Sequence, residues 1–202
     1  AVLSFAVVLN VLFVASNWQA LSRVDKVALL SGSTFLVSYV GFVLAYGRKN
    51  YPKVGAALLF LGSLLFGATL FLIAQIYNIQ AHSHMLLLIW LLGVLPLAYV
   101  LRSLPIAGLS VVLLFLWVGF FIFRGMTLTS RDWINLPTLY LVISLLLFEV
   151  GGLHYLSDGL KAMARIYRIA ALKVAMAALF LLTFRFFSGD YYGSVYYLQG
   201  KL

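Results

Sequence analysis

Long apolar blocks, separated by short polar segments, recur along the whole length of this chain. A helix needs about 20 mainly apolar residues to cross the hydrocarbon core of a bilayer. Blocks of that kind cover Ala1–Ala15, Val27–Tyr46, Val54–Ile76, Met85–Leu101, Ile106–Phe123, Thr138–Tyr155 and Ile169–Phe187. The strands of a membrane barrel would alternate apolar and polar residues, whereas these blocks are apolar on all sides. Because a segment in lipid must satisfy its own backbone hydrogen bonds, the pattern predicts about seven spanning helices.

The short connections between the blocks predict how the helices pack. Neighbouring helices joined by a few residues pack as antiparallel pairs. Pro52, Pro105 and Pro137 stand at predicted helix starts, where the missing N–H costs little. Pro96 lies inside the fourth block and is expected to kink it. The predicted fold class is therefore all-α, a polytopic transmembrane helix bundle with short loops that forms one domain over residues 1–202.

The segment SDGLKAMARIYR, which precedes the last block, has the pattern of an amphipathic helix. Its apolar face carries Leu160, Met163, Ala164 and Tyr167, which recur every three or four positions. Lys161, Arg165 and Arg168 form an adjacent basic face. This pattern predicts one short interfacial helix that lies on anionic headgroups. The alternative is that the segment forms the first part of the last spanning helix. The chain begins without methionine, so we expect it to be part of a longer protein.

The composition places most of the chain in lipid rather than in water. Hydrophobic residues make up 64% of the sequence and charged residues 9%, whereas a soluble domain carries about 25% charged residues. The net charge is +9, and basic residues stand at the ends of the apolar blocks. The expected partners are therefore membrane lipids with anionic headgroups, and not nucleic acid. Lysine and arginine are slightly more frequent on the side of the N-terminus, which predicts that this side is cytoplasmic.

Polar and aromatic side chains gather at block ends on the opposite side of the membrane, and we call this set the polar rim. The polar rim consists of Asn17, Trp18, Gln75, Tyr77, Asn78 and Arg185. Arg185 lies inside the last block, where a charge is expected to face protein or water rather than lipid. It either forms a structural pair with Asp132 or Asp190, or captures an anionic group such as a phosphate.

Two further patterns fall inside the apolar blocks. Glu149 and Lys173 are expected at similar depth, and they form either an intramembrane ion pair or part of a proton or cation relay. The third block carries a stripe of small residues at Gly55, Ala56, Ser63, Gly67 and Ala74. Such a stripe predicts a seam of close helix packing, and the alternative is that the seam opens into a polar pocket.

The sequence predicts no metal site, no cofactor and no recognisable catalytic motif. His82 and His84 are too few ligands for a stable zinc site, and we expect them to be solvated loop residues. The chain has no cysteine, which excludes thiolate ligands and cysteine nucleophiles. It also lacks the short motifs of hydrolases, metalloproteases and ATPases, so a non-enzymatic role is favoured.

Three segments resemble a known family: ASNWQALSRVDKVALL, GAALLFLGSLLFGATLFLIAQIYNIQ and LLGVLPLAYVLRS. The matching positions are Asn17, Trp18, Gly62, Gly67, Gln75, Ile76, Tyr77, Pro96 and Arg102. Over Asn17–Ser103 the chain resembles the domain-of-unknown-function 2157 family of bacterial predicted membrane proteins. The resemblance implies a multi-pass protein of the bacterial inner membrane, and it implies no activity.

These observations leave three hypotheses for the function. The first is that the protein binds or transports an amphipathic or anionic solute or lipid at the polar rim, on the non-cytoplasmic side. The second is a structural or assembly subunit that packs against a partner membrane protein or a second copy of this chain. The third is a lipid-linked transferase.

Overall fold

The structure, a computed structural model, describes residues 18–47, 51–79, 83–123 and 136–184 of the chain. Within these ranges the protein is helical and contains no strand, as the apolar pattern predicts. The helices are α1 (Arg23–Phe42), α2 (Pro52–Ile76), α3 (Ser83–Leu101), α4 (Leu104–Phe123), α5 (Leu136–Leu153) and α6 (Lys161–Leu182). A π-helical turn, Val43–Gly47, continues α1, and two 3₁₀ turns, His154–Leu156 and Asp158–Leu160, connect α5 to α6.

Local sequence explains where several helices begin. The Ser22 side chain accepts a hydrogen bond from the Asp25 N–H at 3.2 Å and donates one to the Asp25 carboxylate at 2.6 Å, which caps the start of α1. Pro52 is the first residue of α2, where a missing N–H breaks no intrahelical hydrogen bond. Pro96 lies inside α3, and the helix continues through it to Leu101.

Five of the described helical segments are long and apolar enough to span a membrane, namely Arg23–Gly47, Pro52–Ile76, His84–Leu101, Leu104–Ile122 and Leu136–Leu156. They coincide, within a few residues, with the five middle blocks of the sequence pattern. The predicted number of about seven is not confirmed. The first block, Ala1–Ala15, lies outside the described residues, and α6 is not among the candidate spans.

The segment before the last block does not form a separate short helix. Residues Lys161 to Arg168 are the first two turns of α6, which continues to Leu182. No glycine or proline interrupts the chain between these two ends, so nothing breaks the helix after Arg168. The alternative interpretation of this segment, an extension of the last apolar block, is therefore the one that the structure shows.

By its packing, the chain divides into two compact units, Ala1–Ala81 and His82–Leu202. The prediction of one domain over residues 1–202 stays a prediction. The described helices of the N-terminal unit are α1 and α2, and those of the C-terminal unit are α3 to α6.

In the N-terminal unit, α1 and α2 form an antiparallel hairpin with glycine at the contact. A Cβ atom on Gly55 would lie 2.5 Å from the backbone nitrogen of Ala45, so the two backbones touch directly. Farther along the seam, the hydroxyls of Thr34 and Thr69 are hydrogen-bonded at 2.9 Å. The predicted packing seam is confirmed for four of its residues, which are buried, whereas Ala56 is exposed: the buried ones are Gly55, Ser63, Gly67 and Ala74.

In the C-terminal unit, α5 packs against α6 and α3 packs against α4, while α4 also contacts α6. The α5–α6 contact is close at Gly151, where a Cβ atom would lie 3.2 Å from the carbonyl oxygen of Ala164. On α6 the buried residues recur every three or four positions and are mostly alanine: Met163, Ala164, Tyr167, Ala171, Ala175 and Ala178. This small-residue face lets α6 approach its neighbours and places the Tyr167 ring in the interior.

Candidate functional site

A half-open apolar cavity of about 170 Å³ lies among the helices of the C-terminal unit. Leucine and valine side chains of α3, α4 and α5 form most of its wall. Three hydroxyl-bearing residues complete the wall: Tyr99 of α3, Ser110 of α4 and Tyr167 of α6. The cavity therefore offers an apolar volume with a small number of polar groups, which is the usual composition of a site for an apolar or amphipathic ligand.

Tyr99 is held by a histidine that follows α5. The Tyr99 hydroxyl lies 2.8 Å from Nε2 of His154, and Nδ1 of His154 lies 2.5 Å from the carbonyl oxygen of Val150. A carbonyl oxygen only accepts hydrogen bonds, so Nδ1 carries the proton in this pair. In the neutral ring Nε2 is then an acceptor, and Tyr99 donates its hydroxyl proton to it.

Tyr167 contributes a hydroxyl group that has no hydrogen-bond partner. The residue is 2% exposed, its hydroxyl is fully buried, and its ring packs edge-on against His154 with 5.2 Å between the ring centroids. The Tyr99 and Ser110 hydroxyls lie close to this phenol, yet neither forms a hydrogen bond of acceptable geometry with it. A buried polar group left without a partner costs about 1–3 kcal/mol, so such a group in a cavity wall indicates a place for a ligand or a water molecule. We call Tyr99, Ser110, His154 and Tyr167 the tyrosine–histidine cluster.

Basic residues surround the end of the C-terminal unit nearest to this cluster, and we call Arg102, Lys161, Arg165 and Arg168 the basic rim. The Arg102 guanidinium lies against Gly159, where a Cβ atom would be 2.8 Å from Cζ, so the α3–α4 turn and the α5–α6 connection meet at this end. Arg168 stacks on Phe148, with 4.1 Å from Cζ to the ring centroid. Lys161 is ion-paired with Asp158 at 2.5 Å.

The backbone of Arg102 has an uncommon conformation. Its φ angle is +48°, in the left-handed region that glycine adopts more readily than other residues. Backbone hydrogen bonds fix this turn, from the Arg102 N–H to the Tyr99 carbonyl at 3.3 Å and from the Ser103 N–H to the Ala98 carbonyl at 3.1 Å. These hydrogen bonds therefore hold Arg102, the first residue of the basic rim, in a fixed turn three positions after Tyr99.

The polar rim predicted from the sequence is described only in part, and only in the N-terminal unit. Gln75, Tyr77 and Asn78 are exposed at the end of α2, and Asn78 has a φ angle of +49°. Trp18 lies just before α1, where Nζ of Lys26 is 5.4 Å from its ring centroid. The antiparallel hairpin places the start of α1 and the end of α2 at the same end of this unit. The remaining members of the polar rim, Asn17 and Arg185, lie outside the described residues, as do Asp132 and Asp190.

Glu149 and Lys173 do not form the expected ion pair in this structure. Both side chains are exposed, and the ion pair among the described residues joins Lys161 to Asp158. The reason is the rotation of the two helices. Glu149 stands two positions, about 200° around the helix, from the buried Leu147, and Lys173 has the same relation to the buried Ala171.

The expectation of a solvated loop is wrong for His84. This residue belongs to the first turn of α3, is 2% exposed, and packs edge-on against Phe121 of α4 with 5.9 Å between the ring centroids. His82 lies outside the described residues. The polar stretch between α2 and α3 thus supplies a core residue at its end, because α3 begins two residues earlier than its apolar block.

Comparison with known proteins gives one match. The model of a family described as predicted membrane protein (DUF2157) matches residues 2–107, just over half of the chain. The match includes α1, α2, α3 and the start of α4, and therefore Tyr99 and Arg102, but not Ser110, His154 or Tyr167. Neither a curated protein nor a solved structure matches the chain. With five described helices able to span a bilayer, this chain belongs to the DUF2157 family of predicted membrane proteins.

Proposed function

We propose that this protein is a non-catalytic, multi-pass protein of the inner membrane that binds or moves an amphipathic molecule. The observation that carries the proposal is the apolar cavity of the C-terminal unit with the unpartnered Tyr167 hydroxyl in its wall. A group of this kind gives a ligand both an apolar volume to fill and one hydrogen bond to orient it.

The size of the cavity supports binding of part of a larger molecule. A dry cavity of about 150 Å³, lined by aliphatic and aromatic side chains, accepts a molecule such as benzene. The cavity here is of similar volume, about 170 Å³. It therefore holds one ring or a short stretch of hydrocarbon chain, and the rest of an amphipathic ligand lies outside it.

The orientation of the chain is also part of this proposal. With the N-terminal side in the cytoplasm, as the pattern of lysine and arginine predicts, the basic rim faces the cytoplasm, in accord with the positive-inside rule. The polar rim of the N-terminal unit, with Gln75 and Tyr77, is a second location for the same function.

Filling the cavity tests the proposal. Val111 is 5% exposed and lines the cavity, whereas its neighbour Val112 is 54% exposed and does not. We expect that the protein, gently extracted from its membrane, retains an amphipathic molecule in native mass spectrometry. Val111→Phe should abolish this adduct, and the matched control Val112→Phe should keep it.

The outcomes of this experiment distinguish whether the protein binds an amphipathic molecule from where on the protein that molecule binds. An extracted protein that neither retains nor takes up any amphipath would contradict the proposed function. An adduct that survives Val111→Phe but is lost in Gln75→Ala combined with Tyr77→Phe would keep the function and move its site to the polar rim.

One observation favours a structural or assembly subunit as the second candidate. Glu149 and Lys173 are exposed charged residues on helices α5 and α6, and charged groups within a membrane usually face protein. A partner membrane protein, or a second copy of this chain, would supply that environment. If this is the main role, Glu149→Gln with Lys173→Met should shift the mass of the extracted complex to a smaller assembly, and Val111→Phe should not.

A further inference from the structure

We infer that the ligand of this cavity is an anionic amphipath, whose apolar part occupies the cavity and whose acidic oxygen group lies between Tyr167 and the arginines of the basic rim. The inference rests on the proposed function, because it specifies the chemical class of the ligand that the cavity binds. It follows from the hydrogen-bond donors of the tyrosine–histidine cluster and from the charges beside it.

The three hydroxyls of the cavity wall differ in what they offer to a ligand. Tyr99 donates its proton to His154 at 2.8 Å, and Ser110 donates its proton to the carbonyl oxygen of Ala107 at 2.7 Å. Tyr167 keeps its proton, since its hydroxyl has no partner and a phenol is protonated at neutral pH. The ligand atom next to Tyr167 therefore receives a hydrogen bond, which requires an oxygen acceptor.

The basic rim favours an acceptor that carries negative charge. Lys161 is neutralised by Asp158, whereas Arg102 and Arg168 form no ion pair within the described part of the chain. Arg102 lies against Gly159, and Arg168 lies over the rings of Phe148 and Tyr155, so none of these contacts neutralises either guanidinium charge. Arginine binds carboxylate and phosphate through two parallel N–H groups, and these anions are its preferred partners.

The backbone at Arg102 gives an independent reason to place the anion there. A residue other than glycine adopts the left-handed region at a cost in free energy, and Arg102 adopts it with a φ angle of +48°. Glycine would remove this cost, so the side chain at this turn has a use that glycine does not provide. Arg102 follows Tyr99 by three residues. This separation is about one helical turn, or a rise of about 5 Å along the helix axis.

The shared chemistry of the ligand is thus an anionic oxygen group on an apolar chain, supplied either by a carboxylate or by a phosphate. The test uses dodecanoate, dodecyl phosphate and dodecyltrimethylammonium, three probes with the same chain and different headgroups. Each probe is titrated into the whole protein in a neutral maltoside detergent, and native mass spectrometry reports the bound fraction. We expect both anionic probes to bind with one molecule per chain, at least tenfold more tightly than the cationic probe.

Three variants assign the binding to this site. Tyr167→Phe keeps the ring and removes the hydroxyl, and Arg102→Gln removes the charge, so each should weaken the anionic probes about tenfold. Val111→Phe should abolish binding of all probes. The matched controls are Tyr39→Phe and Arg23→Gln, an exposed tyrosine and an exposed arginine of the N-terminal unit, and they should bind the probes as the unaltered protein does.

The possible failures are distinct. Equal binding of the cationic and anionic probes, lost in Val111→Phe, would overturn the anionic class and leave the proposed function standing. The anionic probes could instead bind equally well to Val111→Phe and Tyr167→Phe and be released by salt. That result would mean that they bind by charge attraction at the protein surface, and it would overturn the inference. Binding of no probe at all would count against the proposed function itself. A preference between dodecanoate and dodecyl phosphate would identify the acidic group within the inferred class.

Discussion

At the scale of single residues, two positions of the C-terminal unit are in states that cost free energy. The Tyr167 hydroxyl is buried without a partner, and Arg102 has a left-handed backbone. Each state costs about 1–3 kcal/mol, and such costs are concentrated at functional sites. Tyr167 belongs to the tyrosine–histidine cluster, and Arg102 lies against Gly159 in the connection that leads into the helix of Tyr167, which is why we place the ligand there.

Replacing Arg102 with glycine should therefore stabilise the protein while it weakens binding. We expect Arg102→Gly to raise the free energy of unfolding by about 1 kcal/mol, because glycine adopts the left-handed conformation without the clash of a Cβ atom. Titration with a denaturing detergent, followed by the loss of helical circular dichroism, measures this change. Asn78→Gly is the control, since asparagine tolerates its φ angle of +49° well and should gain only a few tenths of a kcal/mol. An equal gain at both positions would show that Arg102 has no special strain.

At this same scale, the tyrosine–histidine cluster could not be predicted from the sequence. Tyr99 and His154 are 55 positions apart, and only the packing of α3 on α4, of α4 on α6 and of α6 on α5 brings them together. The amphipathic pattern did assign Tyr167 to an apolar helix face, and that face is buried, but nothing in the pattern indicates that its hydroxyl has no partner. The one available signal was His154 itself, an imidazole directly after an apolar helix.

At the scale of helices, the extent of each element was predictable but its rotation was not. The thickness of the hydrocarbon core dictates the length of an apolar block, so the five middle blocks match described helices within a few residues. Rotation is set by small residues such as Gly151 and Ala164, which let two backbones approach. The predicted pair of Glu149 and Lys173 failed for this reason, because these residues were matched by depth and not by helix face.

The hairpin of α1 and α2 depends on a glycine at its narrowest point. A methyl group on Gly55 would lie 2.5 Å from the Ala45 nitrogen and 2.7 Å from the Gly41 carbonyl oxygen, and backbone atoms cannot rotate away. We expect Gly55→Ala to separate the two helices and to lower the free energy of unfolding by about 1–3 kcal/mol. Gly32→Ala on α1 is the matched control, because a Cβ atom there meets nothing within 4 Å. The same detergent titration compares them, and equal stability of the two variants would exclude the close contact.

At the scale of the whole molecule, the medium explains the distribution of side chains. Many large apolar residues of the described helices are exposed, for example Val100 at 79% and Leu146 at 62%, which water would penalise and hydrocarbon does not. Composition alone predicts the hydrocarbon environment, because 9% charged residues are too few to cover a surface in water.

The hydrocarbon environment predicts a difference between two arginine substitutions on α5 and the turn that follows it. Leu146 is at the midpoint of the candidate span Leu136–Leu156, whereas Leu156 is its last residue and is 86% exposed. Leu146→Arg places a cation at the centre of the bilayer, at a cost of about 2.5–3.5 kcal/mol for insertion, and should sharply lower the amount of folded protein in membranes. Leu156→Arg should leave that amount nearly unchanged, because the long side chain reaches the headgroups. Quantifying the extracted, monodisperse protein for both variants tests this, and equal yields would mean that the exposed face of α5 does not lie in hydrocarbon.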